Sequence, residues 1–348
     1  MRFHIQPTIN PIHEEPRMTD TDIILLGEDL GMGANKLYGA LGGLQLPSQV
    51  AANGTQRVTR MIGLRSQKPP LHLITEQGQF YVGAGAHDWG RPVENLDYNR
   101  LTGSPEMQAL FYGALTHLLG TLSHTSIRLS LVVGMPLEPL TGEGARENVL
   151  SVRRWMSGEH RWVADGTSWA VTVTEVKVTS QATGALFDHV LNGQGQFHPG
   201  GRAALKKEIG IISVGFNTIE LLVVRDKKPV QRFTAGATSG VRRLLELINT
   251  RRMYSLGELD TLLRAGKLDV REALPVWERE VTGVVERYWG QSWKRFSPIL
   301  LVGGGALLLR DYLTQYFNGK VVLPDQPVLS VARGLYKLGL YQRRRTHR

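Results

Sequence analysis

The chain has 348 residues, a length that suggests about two domains and allows more than one buried core. Hydrophobic residues make up 42% of it and charged residues 21%, which excludes disorder as the main state of the chain. No window approaches the roughly 18 uninterrupted apolar residues of a membrane span, which excludes a spanning helix. There is no cysteine, so disulfides, thiol nucleophiles and cysteine zinc sites are excluded too. The N-terminal segment lacks the apolar core of a signal peptide, and we expect a cytoplasmic protein.

The net charge of +10 at neutral pH is unevenly distributed along the chain. Residues 225–252 hold eight Lys or Arg against two acids, and residues 343–348 add four arginines. Such segments suit nucleic acid, an acidic partner or a phosphorylated ligand, although basic solvated faces are common as well. The ten histidines show no HExxH or other tight ligand spacing, so a metal site held by histidine is not expected.

The first half of the chain reads as strands followed by helices. Residues 1–20 carry three prolines and no periodicity, which predicts a flexible leader. From Asp22 to the turn signal Asn53-Gly54 the pattern predicts a β-meander around a glycine loop, and residues 70–83 predict more strands. Residues 104–122 predict a helix with its serine as N-cap and its proline at the first position.

The first half is completed by a strand, a helix, a hairpin at Asp165-Gly166 and a further helix over 184–192. The order of elements then repeats in the second half. The second half is predicted to contain strands at 210–216, 217–226 and 228–235, helices at 239–252 and 276–289, a strand at 298–305, a helix at 306–317, a strand at 320–324 and a helix at 328–340. This pattern indicates a duplicated α/β unit with a ligand cleft between its halves.

The first glycine loop spans Asp29–Lys36 and reads DLGMGANK. Its glycines, Gly31 and Gly33, would let backbone N–H groups point at phosphate oxygens, and Lys36 would add a positive charge. Asp29 could hold the hydration shell of a magnesium ion. A plain glycine hairpin has the same pattern, but the segment also resembles the first phosphate loop of the actin, Hsp70 and sugar-kinase superfamily. That resemblance adds Met32 and Asn35 to the nucleotide-binding set.

The second glycine loop, Ser213–Glu220, resembles the second phosphate loop of the same superfamily, whose pattern is Asp-x-Gly-x-x-Thr-x-Asp. Gly215 and Thr218 match it, and Phe216 and Asn217 lie between them. Ser213 stands where the family has an aspartate that organises metal and attacking water, and a hydroxyl cannot supply that charge. Glu220 replaces the second aspartate and keeps its charge, which makes it a weak candidate metal ligand.

A third loop, Gly303–Gly305 followed by Ala306 and an apolar helix, resembles the adenosine loop of the superfamily. Glycines after a buried strand let the backbone lie flat against a nucleoside, although a simple strand-to-helix turn has the same composition. The three loops follow in the family's order, about 180 and 90 residues apart. The resemblance implies that Gly303, Gly304, Gly305 and Ala306 bind the nucleotide.

Other segments are similar to bacterial and archaeal actin-like proteins of the plasmid-segregation ParM group, and the likeness runs from about Asp22 to Leu340. They are 46–51, 81–83, 101–106 and 331–337. An Hsp70 chaperone would need a further substrate-binding domain. A sugar kinase would need an aspartate base in a sugar-binding loop, and we find no convincing one.

This resemblance implies an α/β, duplicated actin-like (ribonuclease H-like) two-domain fold with a nucleotide cleft. The expected parts are domain I at 21–180 with a C-terminal helix at 326–341 returning to it, domain II at 181–325 and a basic tail at 342–348. ATP or ADP with Mg²⁺ is the implied ligand, and Asp29 is also implied in catalysis. Gln181 is expected to orient the attacking water, although it could instead cap the helix between the domains. Polar groups on a helix of domain II, Arg243 and Glu246, could face the nucleotide.

Two functional hypotheses follow from these residues. In the first, the protein is an ATPase whose filaments assemble from copies of the chain and serve DNA or plasmid segregation, with an adaptor or DNA touching 225–252 and 343–348. In the second, Ser213 has removed hydrolysis and the protein is a nucleotide-binding scaffold regulated by binding alone. A sugar-kinase-type phosphotransferase is a third and more distant alternative.

Overall fold

The computed structural model describes residues 23–52, 68–122 and 127–346. The predicted leader and the Asn53-Gly54 turn lie outside these ranges. Along the described chain, no helix is both long and apolar enough to cross a bilayer.

The first half is built on a ten-stranded mixed sheet. Its strands are β1 (Ile23–Leu30), β2 (Ala34–Gly39), β3 (Gly42–Pro47), β4 (Val50–Ala52), β5 (Leu71–Thr75), β6 (Gly78–Val82), β7 (Arg91–Pro92), β8 (Ile127–Met135), β9 (Gly158–Ala164) and β10 (Thr167–Ser180). They lie in the order β3-β2-β1-β8-β10-β9-β5-β6-β4-β7. The antiparallel run β1-β2-β3 confirms the predicted meander, and β8 pairs in parallel with β1 and β10.

Two helices of this half follow their sequence signals. Helix α1 (Pro105–Leu119) begins after Ser104, whose Oγ accepts a hydrogen bond from the Met107 N–H, as an N-cap should. Helix α2 (Ala145–Met156) precedes the β9–β10 hairpin. Asp165 and Gly166 both have positive φ in that hairpin, which is the geometry that an Asp-Gly pair favours in a two-residue turn.

The second half is built on a six-stranded sheet. Its strands are β11 (Ile209–Val214), β12 (Ile219–Arg225), β13 (Lys228–Pro229), β14 (Ala235–Ala237), β15 (Ile299–Val302) and β16 (Val321–Val322), in the order β13-β12-β11-β15-β16 with β14 paired to β12. The helices that follow α2 are α3 (Gln181–Val190), α4 (Gly201–Ala204), α5 (Val241–Ile248), α6 (Leu256–Arg264), α7 (Leu274–Trp289), α8 (Ala306–Tyr316) and α9 (Ser330–Thr346).

Three large buried apolar clusters hold the described part of the chain together. One fills each half, around Phe111 in the first and around Trp277 and Trp289 in the second. The third joins the halves, because it combines residues of β1 and β8 with residues of α3, α9 and the second sheet. Leu335 of α9 is fully buried in this third cluster, so truncating it to alanine should cost about 2–5 kcal/mol of stability.

Helices α3 and α9 cross at the boundary between the halves. A Cβ on Gly334 would lie 1.8 Å from the Gly184 carbonyl oxygen, so only glycine allows this approach. Asp188 of α3 is buried and accepts from Arg333 and Lys337 of α9, at distances of 2.6–2.7 Å from the Arg333 nitrogens and 2.7 Å from Lys337 Nζ. These two cations lower the pKa of Asp188 against the opposing effect of burial.

Two differences from the predicted elements affect the site or the surface charge. Helix α6 lies between the predicted helices at 239–252 and 276–289, in a segment for which the sequence predicts no separate helix. Helix α9 continues to Thr346, so the arginines at 343–345 lie in its last turn instead of in a separate tail. The continuation is favourable because cations near a helix C-terminus complement its dipole.

Candidate functional site

The two predicted phosphate loops face each other across one cavity of about 280 Å³. Residues of both halves line it, including Gly31, Met32 and Gly33 from the first loop and Gly215 from the second. A Cβ added to Gly33 would lie 2.3 Å from the Cβ of Phe216. The two turns therefore touch, and glycine is required at the point of contact.

Asp29 is the buried carboxylate that the first loop brings to this cavity. Its Oδ2 accepts from Lys36 Nζ at 2.8 Å, and its Oδ1 accepts from Gln181 Nε2 at 2.6 Å. Asp29 and Lys36 are direct partners in the antiparallel β1–β2 ladder, so their side chains share the face that lines the cavity. Gln181 comes from the first turn of α3, so three elements meet at one carboxylate.

Gln181 does not cap α3. Ser180 does so, since its Oγ accepts from the Thr183 N–H at 3.2 Å. The Gln181 side chain instead lines the cavity, where the sequence hypothesis needs it. Its water-orienting role remains a prediction.

Asn35 lies on the opposite face of the first hairpin. Strand side chains alternate, so the position before Lys36 points away from the cavity. Asn35 Nδ2 donates instead to Glu28 Oε1 at 3.1 Å, and both residues are buried. Burial raises the pKa of Glu28 to about 8. Asn35 is therefore not among the cavity-lining residues, and its contact lies within the first hairpin, behind the cavity wall.

Ser213 lines the cavity from the end of β11, next to the turn closed by the Gly215 N–H donating to the Thr218 carbonyl at 2.8 Å. Asn217 and Thr218 line the cavity with it. The Phe216 carbonyl accepts from the Arg242 N–H at 2.7 Å, which ties the turn to the start of α5.

Glu220 is the direct β12 partner of Ser213, one strand further from the cavity. It is 2% exposed, and its Oε1 accepts from the Leu137 N–H of the first half at 2.6 Å. Burial, followed by the charges of Asp29 and Glu138, raises its pKa to about 8. Glu220 thus connects the halves as a buried acid outside the cavity lining, and these surroundings are unfavourable for a metal ligand.

The third glycine loop contributes two of its four predicted residues to the cavity wall, Gly303 and Gly304. Gly303 has a φ of 93°, and a Cβ there would lie 2.4 Å from the Val214 carbonyl oxygen. A Cβ on Gly304 would meet nothing within 4 Å. Gly305 packs against the Val214 side chain and Ala306 is fully buried, so these two support the wall from behind.

Arg243 and Glu246 of α5, which were expected from the sequence to face the nucleotide, instead contact other protein side chains. Arg243 makes two hydrogen bonds to Glu280 of α7, at 2.8 and 2.7 Å. Glu246 accepts from Arg242 at 2.6 Å, one turn along the same helix. Neither Arg243 nor Glu246 is among the residues that line the cavity.

Helix α6 supplies cavity residues that the sequence interpretation missed. Asp260, Leu263 and Arg264 line the wall, and Arg264 Nε donates to Asp260 Oδ2 at 2.6 Å. Its Nη2 also lies 3.4 Å from the Gly33 carbonyl oxygen of the first loop. The signal was present in the sequence, because Ser255 and Glu258 form a complete capping box.

Gln49 ties α6 to the first half. Its Nε2 donates to the Gly257 carbonyl at 2.9 Å and to Thr261 Oγ1 at 2.7 Å, while its Oε1 accepts from the Gly85 N–H at 3.0 Å. Glu94 accepts from the Gly257 N–H at 3.1 Å, again across the boundary. These contacts join the two halves beside the two glycine turns.

The cavity fits a nucleotide by several independent features. Glycine backbone of three loops faces it, and Lys36 and Asp29 converge at the loops. Much of the remaining wall is apolar, formed by Leu263, Leu268, Val270, Leu307 and Leu308. Within the described ranges no cluster of three or more metal-ligating side chains occurs, so a magnesium ion would depend on Asp29, water and phosphate oxygens.

Residues 27–184 match the family model described as the actin-like proteins N-terminal domain. Solved structures give the same fold. The apo ParM of pSK41 is 16% identical, with 94% of this chain and 100% of that one covered and a TM-score of 0.71. A 15-stranded ParM filament from Clostridium botulinum is 18% identical, with 92% and 99% covered and a TM-score of 0.68. Bacillus thuringiensis ParM with ATP is 13% identical, with 93% and 100% covered and a TM-score of 0.65. No curated protein matches.

Proposed function

We propose that this chain, whose N-terminal half matches the actin-like proteins and whose whole fold is theirs, is an ATP-binding protein that assembles into filaments and hydrolyses ATP. One observation carries the proposal. Two glycine turns from opposite halves meet at one cavity, where Asp29 is held by Lys36 of its own hairpin and by Gln181 of α3. That arrangement suits a ligand with a negatively charged phosphate chain and an apolar base.

Binding is divided among the three loops in this proposal. Lys36 faces the phosphates, and the N–H groups of Gly31, Gly33 and Gly215 donate to phosphate oxygens. The backbone at Gly303 and Gly304 lies against the nucleoside, and the leucines and valine of the apolar wall enclose the base. Mg²⁺ would neutralise phosphate charge when bound, and Asp29 would hold it through its hydration shell.

Hydrolysis relies on few groups of this chain. The Gln181 amide both accepts and donates, so it can orient a water for in-line attack without acting as a strong base. Asp29 fixes the Gln181 amide through the 2.6 Å contact and thereby its orientation. Ser213 adds a hydroxyl but no charge on the other side of the cavity.

The fold neighbours suggest that the partner of this chain is a further copy of itself, because one of these neighbours is a ParM filament. Contacts across the cleft, such as Gln49 with α6, give bound nucleotide a way to shift the relation of the halves and thus the assembling surface. From the same likeness we also propose a role in DNA or plasmid segregation inside the cell, with an adaptor as partner.

A second function is favoured by one specific observation. Ser213 offers no carboxylate to the cavity, and Glu220 lies behind it with its Oε1 bonded to the Leu137 N–H. A chain built this way can bind nucleotide and assemble while hydrolysing it slowly or not at all. That would make it a nucleotide-regulated scaffold.

A phosphate-release assay run beside light scattering and electron microscopy separates these functions. With Mg-ATP the proposed ATPase should form filaments and release phosphate, whereas the scaffold should form filaments equally well with a non-hydrolysable analogue and release little phosphate. A sample that stays monomeric across nucleotide states and high protein concentrations would contradict both.

A further inference from the structure

Nine basic side chains from four separate segments come together on the second half, and we refer to them as the basic face. The contacts of Glu208, Phe233 and Trp293 connect these segments. All are exposed except Lys320, which is half-buried. They are Lys206, Lys207, Arg225, Lys227, Lys228, Arg232, Lys294, Arg295 and Lys320.

Two arginines of the basic face are fixed by one carboxylate. Glu208 accepts from Arg225 at 3.2 Å and also from Arg295, which lies 70 positions further along the chain. Two guanidinium groups thus share a single negative charge. The shared partner holds both in place and leaves a net positive charge at that point.

An aromatic ring orders the neighbouring cations. Arg232 lies 4.4 Å from the centroid of Phe233, and Arg295 lies 5.5 Å from the same ring. Lys320 Nζ lies 5.9 Å from the centroid of Trp293 and donates to the Lys294 carbonyl. Both rings are buried, so they support the cations and are not available to stack on a ligand.

The basic face differs from the basic segment 225–252 of the sequence. Arg242 and Arg243 of that segment are paired with Glu246 and Glu280 on helices beside the cavity. The segments of the basic face carry two acids, Glu208 and Asp226, against nine cations, which leaves +7. Most of the net charge of +10 therefore corresponds to one surface.

We propose that the basic face binds the phosphate backbone of duplex DNA directly. Exposed lysines and pre-ordered arginines in this number are the features of sequence-independent phosphate contact. Single strands are bound by aromatic platforms, and the rings beneath these cations are buried. A protein partner would need an apolar centre in its interface, whereas most of the exposed residues in these segments are charged.

This proposal goes beyond nucleotide binding and does not depend on it, since none of the nine residues lines the cavity. Fluorescence anisotropy with a labelled duplex of about 30 base pairs tests it on the full chain, at two or more salt concentrations. The variant is Lys207→Glu/Lys228→Glu/Arg232→Glu. Its control is Arg146→Glu/Arg153→Glu/Arg154→Glu, which makes the same charge change at exposed positions of α2 in the other half.

We expect the variant of the basic face to bind duplex DNA at least about tenfold more weakly, while the control stays within about threefold of wild type. The slope of log affinity against log salt should flatten by about 0.9 for each phosphate that the variant no longer neutralises. Equal losses in both variants, or no binding by the wild type, would overturn the proposal. Equally tight binding of a polyglutamate chain would assign the face to an acidic protein and overturn it as well.

Nucleotide binding by both variants is measured in the same samples. If the variant of the basic face keeps its nucleotide affinity and its circular dichroism spectrum, its weaker DNA binding reports on the surface alone. A chain that binds DNA through this face but no nucleotide would contradict the proposed function and leave this proposal standing.

Discussion

The two phosphate loops occupy equivalent places in the two halves, yet their acids lie in opposite surroundings. Asp29 faces the cavity and accepts from two side chains, Lys36 and Gln181. Glu220 is not among the residues that line the cavity, and it accepts from a backbone N–H of the other half. In a duplicated fold, one copy of a loop can therefore place a charged side chain in the cavity, while the other copy uses its acid to join the two halves.

The register of the strands explains this division. Asp29 and Ser213 both line the cavity at the end of the strand before their turn, and Lys36 and Glu220 follow seven positions later as their direct cross-strand partners. A long lysine reaches back to the cavity from that partner position, whereas the shorter glutamate meets Leu137 instead. The difference in function follows from side-chain length and the local neighbour.

The largest expected effect is that of Gln181, the residue proposed to orient the attacking water. Gln181→Ala should lower ATP turnover about 100-fold, because the misplacement of a reacting group by about 1 Å can cost that much. Nucleotide affinity should change little, since the amide acts mainly in the transition state. Steady-state phosphate release with a parallel binding titration measures both. Unchanged turnover would leave Gln181 with only its contact to Asp29.

The next largest effect is expected when a charged side chain of the first loop is removed. Lys36→Ala should weaken ATP binding by roughly tenfold to more than a hundredfold, since the loss of a charge-assisted contact costs about 1.5–3 kcal/mol. Asp29→Ala should weaken Mg-ATP binding in the same range. Isothermal titration calorimetry measures it, with exposed Lys177→Ala as the matched control. If both loop variants bind like wild type, the first loop has been misassigned.

Restoring an acid to the second loop sharpens the comparison. Ser213→Asp should raise turnover about tenfold with little change in affinity, because the carboxylate would organise metal and water in the transition state. Ser213→Asn is the matched control, since it has the size of aspartate without the charge. Brisk hydrolysis by the wild type with no gain from the aspartate would mean that Asp29 and Gln181 suffice.

A smaller effect is expected where α6 meets the first half. Gln49→Ala removes two hydrogen bonds to α6, each worth about 1 kcal/mol net, and should speed nucleotide release by roughly three- to tenfold. Stopped-flow release of a fluorescent ATP analogue measures this rate. An unaltered release rate would show that Gln49 does not limit opening of the cleft.

The smallest effect concerns the buried acid of the second loop. Its pKa of about 8 in the folded state lies above its ordinary value, so the folded state binds more protons between about pH 4.5 and 8. Glu220 should therefore reduce stability as pH rises through that window. Glu220→Gln should lose the Glu220 contribution to this dependence while that of Glu28 remains, and it should gain a few degrees in Tm at pH 8.5 but not at pH 4.5. A Tm difference that is the same at both pH values would refute the assignment.

The sequence was most informative where a motif depends on backbone conformation. The glycine turns, the N-cap at Ser104 and the Asp165-Gly166 turn could be predicted because their causes are local in the sequence. The duplicated α/β fold was predicted from the order of such elements together with the family resemblance. The first loop could be predicted for the same reason, since Asp29 and Lys36 share one hairpin.

What the sequence could not provide depends on distant neighbours. Arg243 was expected near the nucleotide, but its partner Glu280 lies 37 positions away on another helix. The hydrogen bond between Glu220 and Leu137 joins residues that are 83 positions apart. The hydrogen bond between Gln49 and Gly257 of α6 joins residues that are 208 positions apart. The basic face is likewise assembled from segments whose proximity exists only in the fold.

Helix α9 has a consequence for how the chain reaches its folded state. Its residues leave the ribosome about 300 positions after those of β1, against which it packs, and they complete the cluster that joins the halves. Gly27 of β1 packs directly on the Ala332 backbone, which an added Cβ would approach to 2.1 Å. During synthesis each half can bury its own core early, but their apolar boundary stays exposed until the end. A chain released short of α9 would present that boundary to solvent and be prone to aggregate.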